Sequence, residues 1–69
     1  MASTRKLVTN QDLKEAMDRG FSIRVFQNDL VVGHRGRIIR FDDQTVYIQY
    51  GVSEFTYHDR DECEFFGVI

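Results

Sequence analysis

The feature that most constrains the fold is a pair of β-type segments on either side of a polar turn, within residues 30–50. The β-branched and aromatic side chains of these segments suit a half-buried pleated sheet. They are Ile38, Ile39, Phe41, Val46, Ile48 and Tyr50. Between the segments, the carboxylates of Asp42 and Asp43 can hydrogen-bond nearby backbone amides, which favours a tight reversal. The pattern predicts the central hairpin of a small barrel.

Length and composition predict one domain over residues 1–69. The chain has 42% hydrophobic and 29% charged residues, which is typical of a globular protein rather than a disordered one. The single cysteine, Cys63, excludes a disulfide within the chain. The chain contains no apolar run of about 18 residues that could cross a membrane. The first ten residues do not have the pattern of a signal peptide, so we expect a cytoplasmic protein.

The N-terminal third predicts one helix after a flexible arm over residues 1–8. Thr9 and Asp12 have the spacing of a capping box, and Val8 and Leu13 that of a hydrophobic staple. Gly20 suits the left-handed residue that follows a helix. The apolar stripe of the helix comprises Leu13, Ala16 and Met17. We therefore expect a helical segment over residues 9–20, with the helix itself from about Asn10 to Arg19.

The remaining chain, residues 21–66, predicts the barrel. Alternating apolar residues indicate a strand over residues 21–27, and a turn follows at residues 27–29. Residues 30–32 fit either a strand or a loop, and the sequence leaves this open. Phe55 and Tyr57 share a face of a further strand, a polar turn covers residues 59–62, and residues 62–66 close the sheet. The expected fold is mainly β, with one helix before about five short strands.

One stretch resembles a known family. The segment VVGHRGRII at residues 31–39, followed by Val46 and Ile48, resembles the KOW motif of small Src-homology-3-like barrels. Gly33 and Gly36 stand where that motif has glycines, and residues 57–66 look like the closing turn and strand of such barrels. The resemblance implies a five-stranded barrel that binds RNA or proteins of transcription and translation. The N-terminal helix and the acidic closing segment depart from the family, so the resemblance does not identify the ligand.

The charges of the chain are unevenly distributed. Residues 1–40 carry +4 and residues 41–69 carry −6, which together give the net charge of −2. In the first half, arginine forks beside aromatic rings suit phosphates and unstacked bases. The candidate nucleic-acid-binding residues are Arg24, Arg35, Arg37, Arg40, Phe26 and Tyr47. The alternative is a solvated face on which these arginines pair with Asp42, Asp43 or Glu54.

The acidic closing segment is the second candidate surface. It comprises Asp59, Asp61, Glu62 and Glu64. These carboxylates could occupy a basic groove of a protein partner, or simply keep a turn soluble. The pI of about 5.5 is unlike that of a typical nucleic-acid-binding domain. The preferred hypothesis is therefore a non-catalytic regulatory or adaptor module that binds a protein partner, including a second copy of itself. The alternative is an RNA- or DNA-binding module.

Catalysis, metal binding and cofactors are not expected. Cys63 and the two histidines of the chain fall short of the four Cys or His ligands of a structural zinc site. Alternation along the last strand places Cys63 inside, as a small hydrophobic residue. An acid–base pair of His58 and Asp59 could serve Tyr57 or Cys63 as the nucleophile. Neighbouring residues on a strand point to opposite faces, so His58 and Asp59 would not meet.

Overall fold

The computed structural model describes residues 3–68. In chain order the elements are β1 (Thr4–Leu7), α1 (Asn10–Arg19), β2 (Ser22–Gln27), β3 (Leu30–Phe41), β4 (Thr45–Gln49), β5 (Phe55–Asp59) and β6 (Glu64–Val68). The six strands are antiparallel, in the order β1-β6-β2-β3-β4-β5. The prediction of a mainly β chain with one helix is confirmed.

The helix begins and ends where its capping residues predict. The Thr9 hydroxyl accepts a hydrogen bond from the Asp12 amide at 3.1 Å, and the Asp12 carboxylate accepts one from the Thr9 amide at 3.1 Å. Gly20 follows the helix with φ 67°, in the left-handed region. Leu13 and Ala16 are buried, so the helix docks on the sheet. Val8, the first residue of the predicted staple, is 64% exposed.

The predicted flexible arm is wrong for Thr4–Leu7, which forms β1 beside β6. Leu7 is buried in the core, and the Arg5 guanidinium contacts Asp12 at 2.7 Å and Glu15 at 2.6 Å. One buried side chain and two ion pairs to the helix therefore hold β1 in place. Its four residues are too few to show the alternation of apolar and polar residues that indicates a strand. Met1 and Ala2 of the predicted arm lie outside the described residues.

Strand β3 joins two parts of the sheet. Its first half pairs with β2 and its second half pairs with β4. The question left open at residues 30–32 is thus answered, because Leu30 begins this strand. The strand is irregular at Arg35, where φ is 61°. A Cβ on Gly36 would collide with Ile48 and Tyr50, so the close approach of Tyr50 requires glycine there.

Local contacts and backbone conformation explain two of the three hairpin turns. Asp42 accepts hydrogen bonds from the amides of Gln44 at 2.9 Å and Thr45 at 2.8 Å, which confirms the predicted reversal. Asn28 and Asp29, with φ of 54° and 64°, form the two-residue turn between β2 and β3. Positive φ at both central residues gives a turn whose twist matches that of the strands.

The core lies between the sheet and the helix, and strands from both parts of the sheet contribute to it. The fully buried large side chains are Leu13, Ile23, Val25, Val46 and Ile48. Among residues 3–68, β1 and β5 each pair with one strand only, so the sheet is not closed by a ladder between them. The structure therefore has six strands in an open order, where the sequence predicted five in a barrel.

Candidate binding surface

The six predicted nucleic-acid-binding residues do not form one cluster. Arg24 and Phe26 lie on the outer face of β2, where the Phe26 ring meets that of Phe66 edge to face with centroids 5.4 Å apart. Arg35 and Arg37 lie on β3, beside Tyr50 and the loop that follows it. The ladder between β2 and β3 places Arg24 beside Arg35, but Arg24 lines a cavity with Phe26 and Phe66, whereas Arg35 and Arg37 line another with Tyr50.

Arg40 and Tyr47 do come together, on the outer face of β3 and β4. The Arg40 guanidinium carbon lies 5.3 Å from the centroid of the Tyr47 ring, a cation–π distance. The Tyr57 ring of β5 lies next, with its centroid 6.3 Å from that of Tyr47. We call Arg40, Tyr47, Phe55 and Tyr57 the aromatic face. The alternative pairing of these arginines with carboxylates is not formed, since within residues 3–68 no ion pair involves Arg24, Arg35, Arg37 or Arg40.

The four residues of the acidic closing segment have different surroundings. The Asp59 carboxylate accepts a hydrogen bond from the Asp61 amide at 2.8 Å, so it also shapes the turn. Glu64, on β6, pairs with Lys6 of β1 at 3.0 Å. Asp61 and Glu62 are exposed in the turn between β5 and β6. Asp59, Asp61 and Glu62 therefore form one acidic end, and Glu64 belongs to the β1 edge.

The neighbour of these acids, Arg60, is held by uncharged groups. Its guanidinium donates to the Asn10 side-chain oxygen and to the Asp42 carbonyl, both at 2.7 Å. The Arg60 amide donates to the Gln44 carbonyl at 2.8 Å. These bonds attach the turn after β5 to the turn after β3 and to the start of the helix, so they fix the acidic end on the body of the protein.

Strand β5 exposes two aromatic side chains and one edge of its backbone. The side chains of Phe55 and Tyr57 are 60% and 72% exposed. The Tyr50 amide donates to the Glu54 carbonyl at 2.8 Å, in register with the bond between Arg60 and Gln44. Hydrogen-bonded positions alternate along an antiparallel ladder. The backbone groups of Phe55 and Tyr57 therefore point away from β4, towards the open edge.

A half-buried polar contact lies on the face of β5 that is opposite to the aromatic face. The Tyr50 hydroxyl and His58 Nε2 are 2.8 Å apart, and the His58 ring also meets Phe65 of β6 with centroids 6.3 Å apart. Burial raises the pKa of Tyr50 to about 12 and lowers the pKa of His58. Both groups are therefore neutral near pH 7. The two contacts of His58 link β5 to Tyr50, at the end of β4, and to Phe65 of β6.

The residues that the sequence offered for acid–base and nucleophilic chemistry are separated around this contact. His58 is half-buried and Asp59 is exposed, on opposite faces of β5, as their adjacent positions predict. Burial, together with the charges of Glu62 and Asp59, raises the pKa of the buried Cys63 thiol. A raised pKa disfavours the thiolate, which is the nucleophilic form. In the part of the chain that the structure describes, no three His, Cys, Asp or Glu residues lie close enough together to hold a metal ion.

Comparisons with models of protein families, with curated proteins and with solved structures found no match to this chain. The resemblance to the KOW motif thus stays a prediction. The described residues include no helix that is both long enough and apolar enough to span a membrane.

Sequence reasoning missed the open edge of β5. It placed Phe55 and Tyr57 on a common face, but a period of two does not say which face of a strand is buried. The sequence does show that Phe55 and Tyr57 alternate with Thr56 and His58. However, either set of side chains could have faced the core. Only the ladder with β4 shows that the aromatic side faces solvent.

Proposed function

We propose that this chain is a small non-catalytic module that binds a protein partner through β5 and the aromatic face. We also propose that its fold is a small barrel of the Src-homology-3-like type. The two parts of the sheet share β3, and the contacts of His58 with Tyr50 and Phe65 bring β5 near β6. The adaptor or regulatory role is supported by β5, which pairs with β4 on one side and leaves its other side without a strand partner.

The observation that carries this proposal is the exposure of Phe55 and Tyr57 on a strand whose outer backbone groups are unpaired by β4. Exposed aromatic side chains are enriched where proteins bind one another. An open strand edge also offers main-chain hydrogen bonds to an extended segment of a partner. The acids Asp59, Asp61 and Glu62 adjoin the strand and favour a partner with basic groups at that end.

The experiment compares two matched pairs of substitutions. One variant carries Phe55→Ser with Tyr57→Ser. The control carries Leu30→Ser with Val31→Ser, which removes apolar side chains that are 68% and 53% exposed on the hairpin of β2 and β3. The immobilised proteins are incubated with an extract of the native organism, and captured proteins are quantified by mass spectrometry. We expect a partner that the control retains and the β5 variant loses. Equal capture by both variants would contradict the proposed surface.

A second candidate function, binding of single-stranded nucleic acid, is favoured by the contact of Arg40 with Tyr47. A cation beside two aromatic rings can hold a phosphate while bases stack. The test is fluorescence anisotropy with a mixed oligonucleotide pool at several salt concentrations. Release of counterions makes a nucleic-acid complex weaken steeply as salt rises. Loss of such binding on Arg37→Glu with Arg40→Glu, but not on Arg24→Glu, would select this function over the first.

A further inference from the structure

Seven of the nine basic side chains have a compensating group within the described residues, 3–68. Four are in ion pairs, one is hydrogen-bonded to uncharged oxygens, one lies over an aromatic ring, and one shares a cavity with two acids. In that order they are Arg5, Lys6, Lys14, Arg19, Arg60, Arg40 and Arg24. The other two, Arg35 and Arg37, are in no ion pair, side-chain hydrogen bond or cation–π contact within these residues.

Arg35 and Arg37 line the same cavity, of about 370 Å³, beside the turn between β4 and β5. Its other lining residues carry no charge; they are Gln49, Tyr50, Gly51 and Val52. Glu54, at the far end of that turn, is not among them. The cavity thus has two positive charges and no acidic wall, in a protein whose net charge is −2.

A bulge in β3 brings Arg35 to this cavity. The register with β2 shifts between Gly33 and Gly36, and Arg35 lies within that shift with φ of 61°. Bulges redirect side chains and are frequent beside active sites. Arg37 lies opposite Gln49 in the regular ladder with β4. A backbone conformation that is costly for arginine is therefore kept at the position that adds a second charge to the cavity.

The turn on the other side of the cavity is held in place by its own hydrogen bonds. The Gln49 side-chain nitrogen donates to the Gly51 carbonyl at 2.8 Å and to the Val52 carbonyl at 3.4 Å. The Tyr50 amide donates to the Glu54 carbonyl at 2.8 Å. A wall that is already ordered loses little conformational freedom when a ligand binds, which favours affinity.

We propose that this cavity binds a phosphate monoester, in the form of a phosphorylated serine or threonine side chain of a protein partner. A phosphate monoester carries a charge of about −2 near pH 7. Guanidinium groups donate paired, charge-assisted hydrogen bonds to its oxygens. The two arginines therefore match this ligand in charge and in hydrogen bonding. The inference rests on the proposed function, because it adds a chemical feature to the protein partner, but its site is separate from the β5 edge.

The exposure of the cavity favours a side chain of a larger molecule over a free small molecule. Arg35, Arg37, Gly51 and Val52 are all exposed. Sites for small molecules bury most of the ligand, whereas this cavity encloses a phosphoryl group and leaves the rest of the ligand outside. Val52, which is 97% exposed, then offers an apolar contact to the peptide around the phosphorylated residue.

The charge distribution disfavours nucleic acid as the occupant. A nucleic acid gains affinity from many phosphate contacts along its backbone. The chain as a whole is acidic, with a pI of about 5.5, and therefore repels a polyanion. A single dianion needs only the two arginines of this cavity. The observations thus favour a phosphorylated protein segment, and nucleic acid is the alternative that the experiments distinguish.

The first experiment titrates the protein with N-acetyl-phosphoserine amide near pH 7 and at low salt, followed by NMR. The comparison ligand is the sulfate ester of the same capped serine, which has a similar shape but a single negative charge. We expect saturable shifts at the Gly51 and Val52 amides and at the side-chain Nε of Arg35 and Arg37. The sulfate ester should bind about tenfold more weakly. Absence of binding, equal binding of the two esters, or shifts confined to other residues would overturn the proposal.

Substitution of each arginine tests the site. Arg35→Asn removes one charge, and asparagine tolerates the left-handed backbone at this position. Arg37→Gln removes the other charge. We expect each to weaken binding of the phosphoserine ligand by about tenfold, in variants whose urea midpoints show that they are folded.

The matched control is Arg24→Gln. It removes the same charge from a residue that lies beside Arg35 in the ladder but lines a different cavity. Binding of the phosphoserine ligand should stay nearly unchanged. Equal weakening by Arg24→Gln would indicate a general attraction of anions and would overturn the site.

Peptide pools test the source of the phosphate. Two pools have random sequence around one central residue, which is phosphoserine in one pool and serine in the other. We expect the protein to retain the first pool only, and Arg35→Asn with Arg37→Gln to lose it. A third arm uses a mixed oligonucleotide pool under the same conditions. Tighter binding of oligonucleotides than of phosphopeptides, lost in the same double variant, would overturn the proposal in favour of nucleic acid.

These results are separable from those on β5. If Phe55→Ser with Tyr57→Ser abolishes capture of a partner but no phosphoserine ligand binds, the phosphate site is wrong and the β5 surface stands. If the phosphoserine ligand binds at Arg35 and Arg37 but the β5 variant captures the same proteins as its control, the phosphate site stands and the β5 surface is wrong.

Discussion

The two edges of the sheet are built differently. At the β1 edge, Leu7 is anchored in the core, and the charges of Arg5 and Lys6 are paired with acids of the helix and of β6. At the β5 edge, Phe55 and Tyr57 are exposed, and no ion pair within residues 3–68 involves this strand. Charged side chains protect a strand edge from pairing with other chains. The comparison indicates that β1 is tied into the fold, whereas β5 keeps exposed aromatic side chains and an edge without charge pairs.

The largest effect that tests this comparison is expected at Leu7. Replacing this buried side chain by alanine removes the only core contact of β1 and leaves a cavity, so Leu7→Ala should lower the free energy of unfolding by about 2–5 kcal/mol. Urea denaturation followed by circular dichroism measures this. A change no larger than that of a surface residue would show that β1 does not support the fold.

A smaller loss is expected from the helix to which β1 is tied. Thr9→Ala removes the hydroxyl that accepts from the Asp12 amide, and we expect a cost of about 0.5–2 kcal/mol. Thr9→Ser keeps the hydroxyl and is the matched control in the same denaturation experiment. Equal destabilisation by both substitutions would mean that the cap does not stabilise the helix.

The pH dependence of stability tests the hydrogen bonds and the ion pair that Asp12 makes behind the β1 edge. Hydrogen bonds from the Val8 and Thr9 amides, and then from Arg5, hold the pKa of Asp12 well below its usual value of 3.8. A lowered folded-state pKa stabilises the protein above the unfolded pKa, and this stabilisation is lost as pH falls from there towards the folded pKa. Below about pH 4, the urea midpoint of the wild type should thus fall more steeply than that of Asp12→Asn.

Asp18→Asn serves as the control for that measurement, because within residues 3–68 Asp18 pairs only with Lys14 on the exposed side of the helix, at 3.0 Å. It should keep the steep acid dependence of the wild type. If Asp12→Asn kept the same steep dependence as well, the network of Arg5 and Asp12 would not be the source of acid sensitivity.

The smallest effect on stability is expected at β5. Phe55→Ser with Tyr57→Ser alters two exposed side chains, and each substitution should change the free energy of unfolding by no more than about 0.5 kcal/mol. The urea midpoint, measured at low protein concentration, checks this. A loss as large as that from Leu7→Ala would show that β5 has the same role as β1, and the contrast between the edges would disappear.

Features encoded by neighbouring residues could be predicted from the sequence. The capping box of Thr9 and Asp12, the left-handed Gly20 and the Asp42 turn each depend on contacts within four residues, and all three are confirmed. Strand β1 could not be predicted in this way. Its partner β6 lies about sixty residues away, and its four residues include one buried side chain.

The candidate site was less predictable than the fold. Arg24 and Arg40 both lie next to β-type residues in the sequence. The sequence does not show that the first half of β3 pairs with β2 and the second half with β4. Likewise, the ion pair of Lys6 with Glu64 depends on β1 lying beside β6, and it removes Glu64 from the acidic end. The order of the strands in the sheet therefore determines which charged residues are neighbours.

The pairing of β1 with β6 also has a kinetic consequence. Residue partners such as Thr4 and Val68 are far apart in the chain, and closing so long a loop costs entropy before any contact is gained. We expect the hairpins of β2, β3, β4 and β5 to form earlier on the folding route and the β1–β6 ladder to form after the rate-limiting barrier. Leu7→Ala should then speed unfolding and leave the refolding rate almost unchanged. The ladder between β1 and β6 would then determine the unfolding rate, and with it the lifetime of the native state.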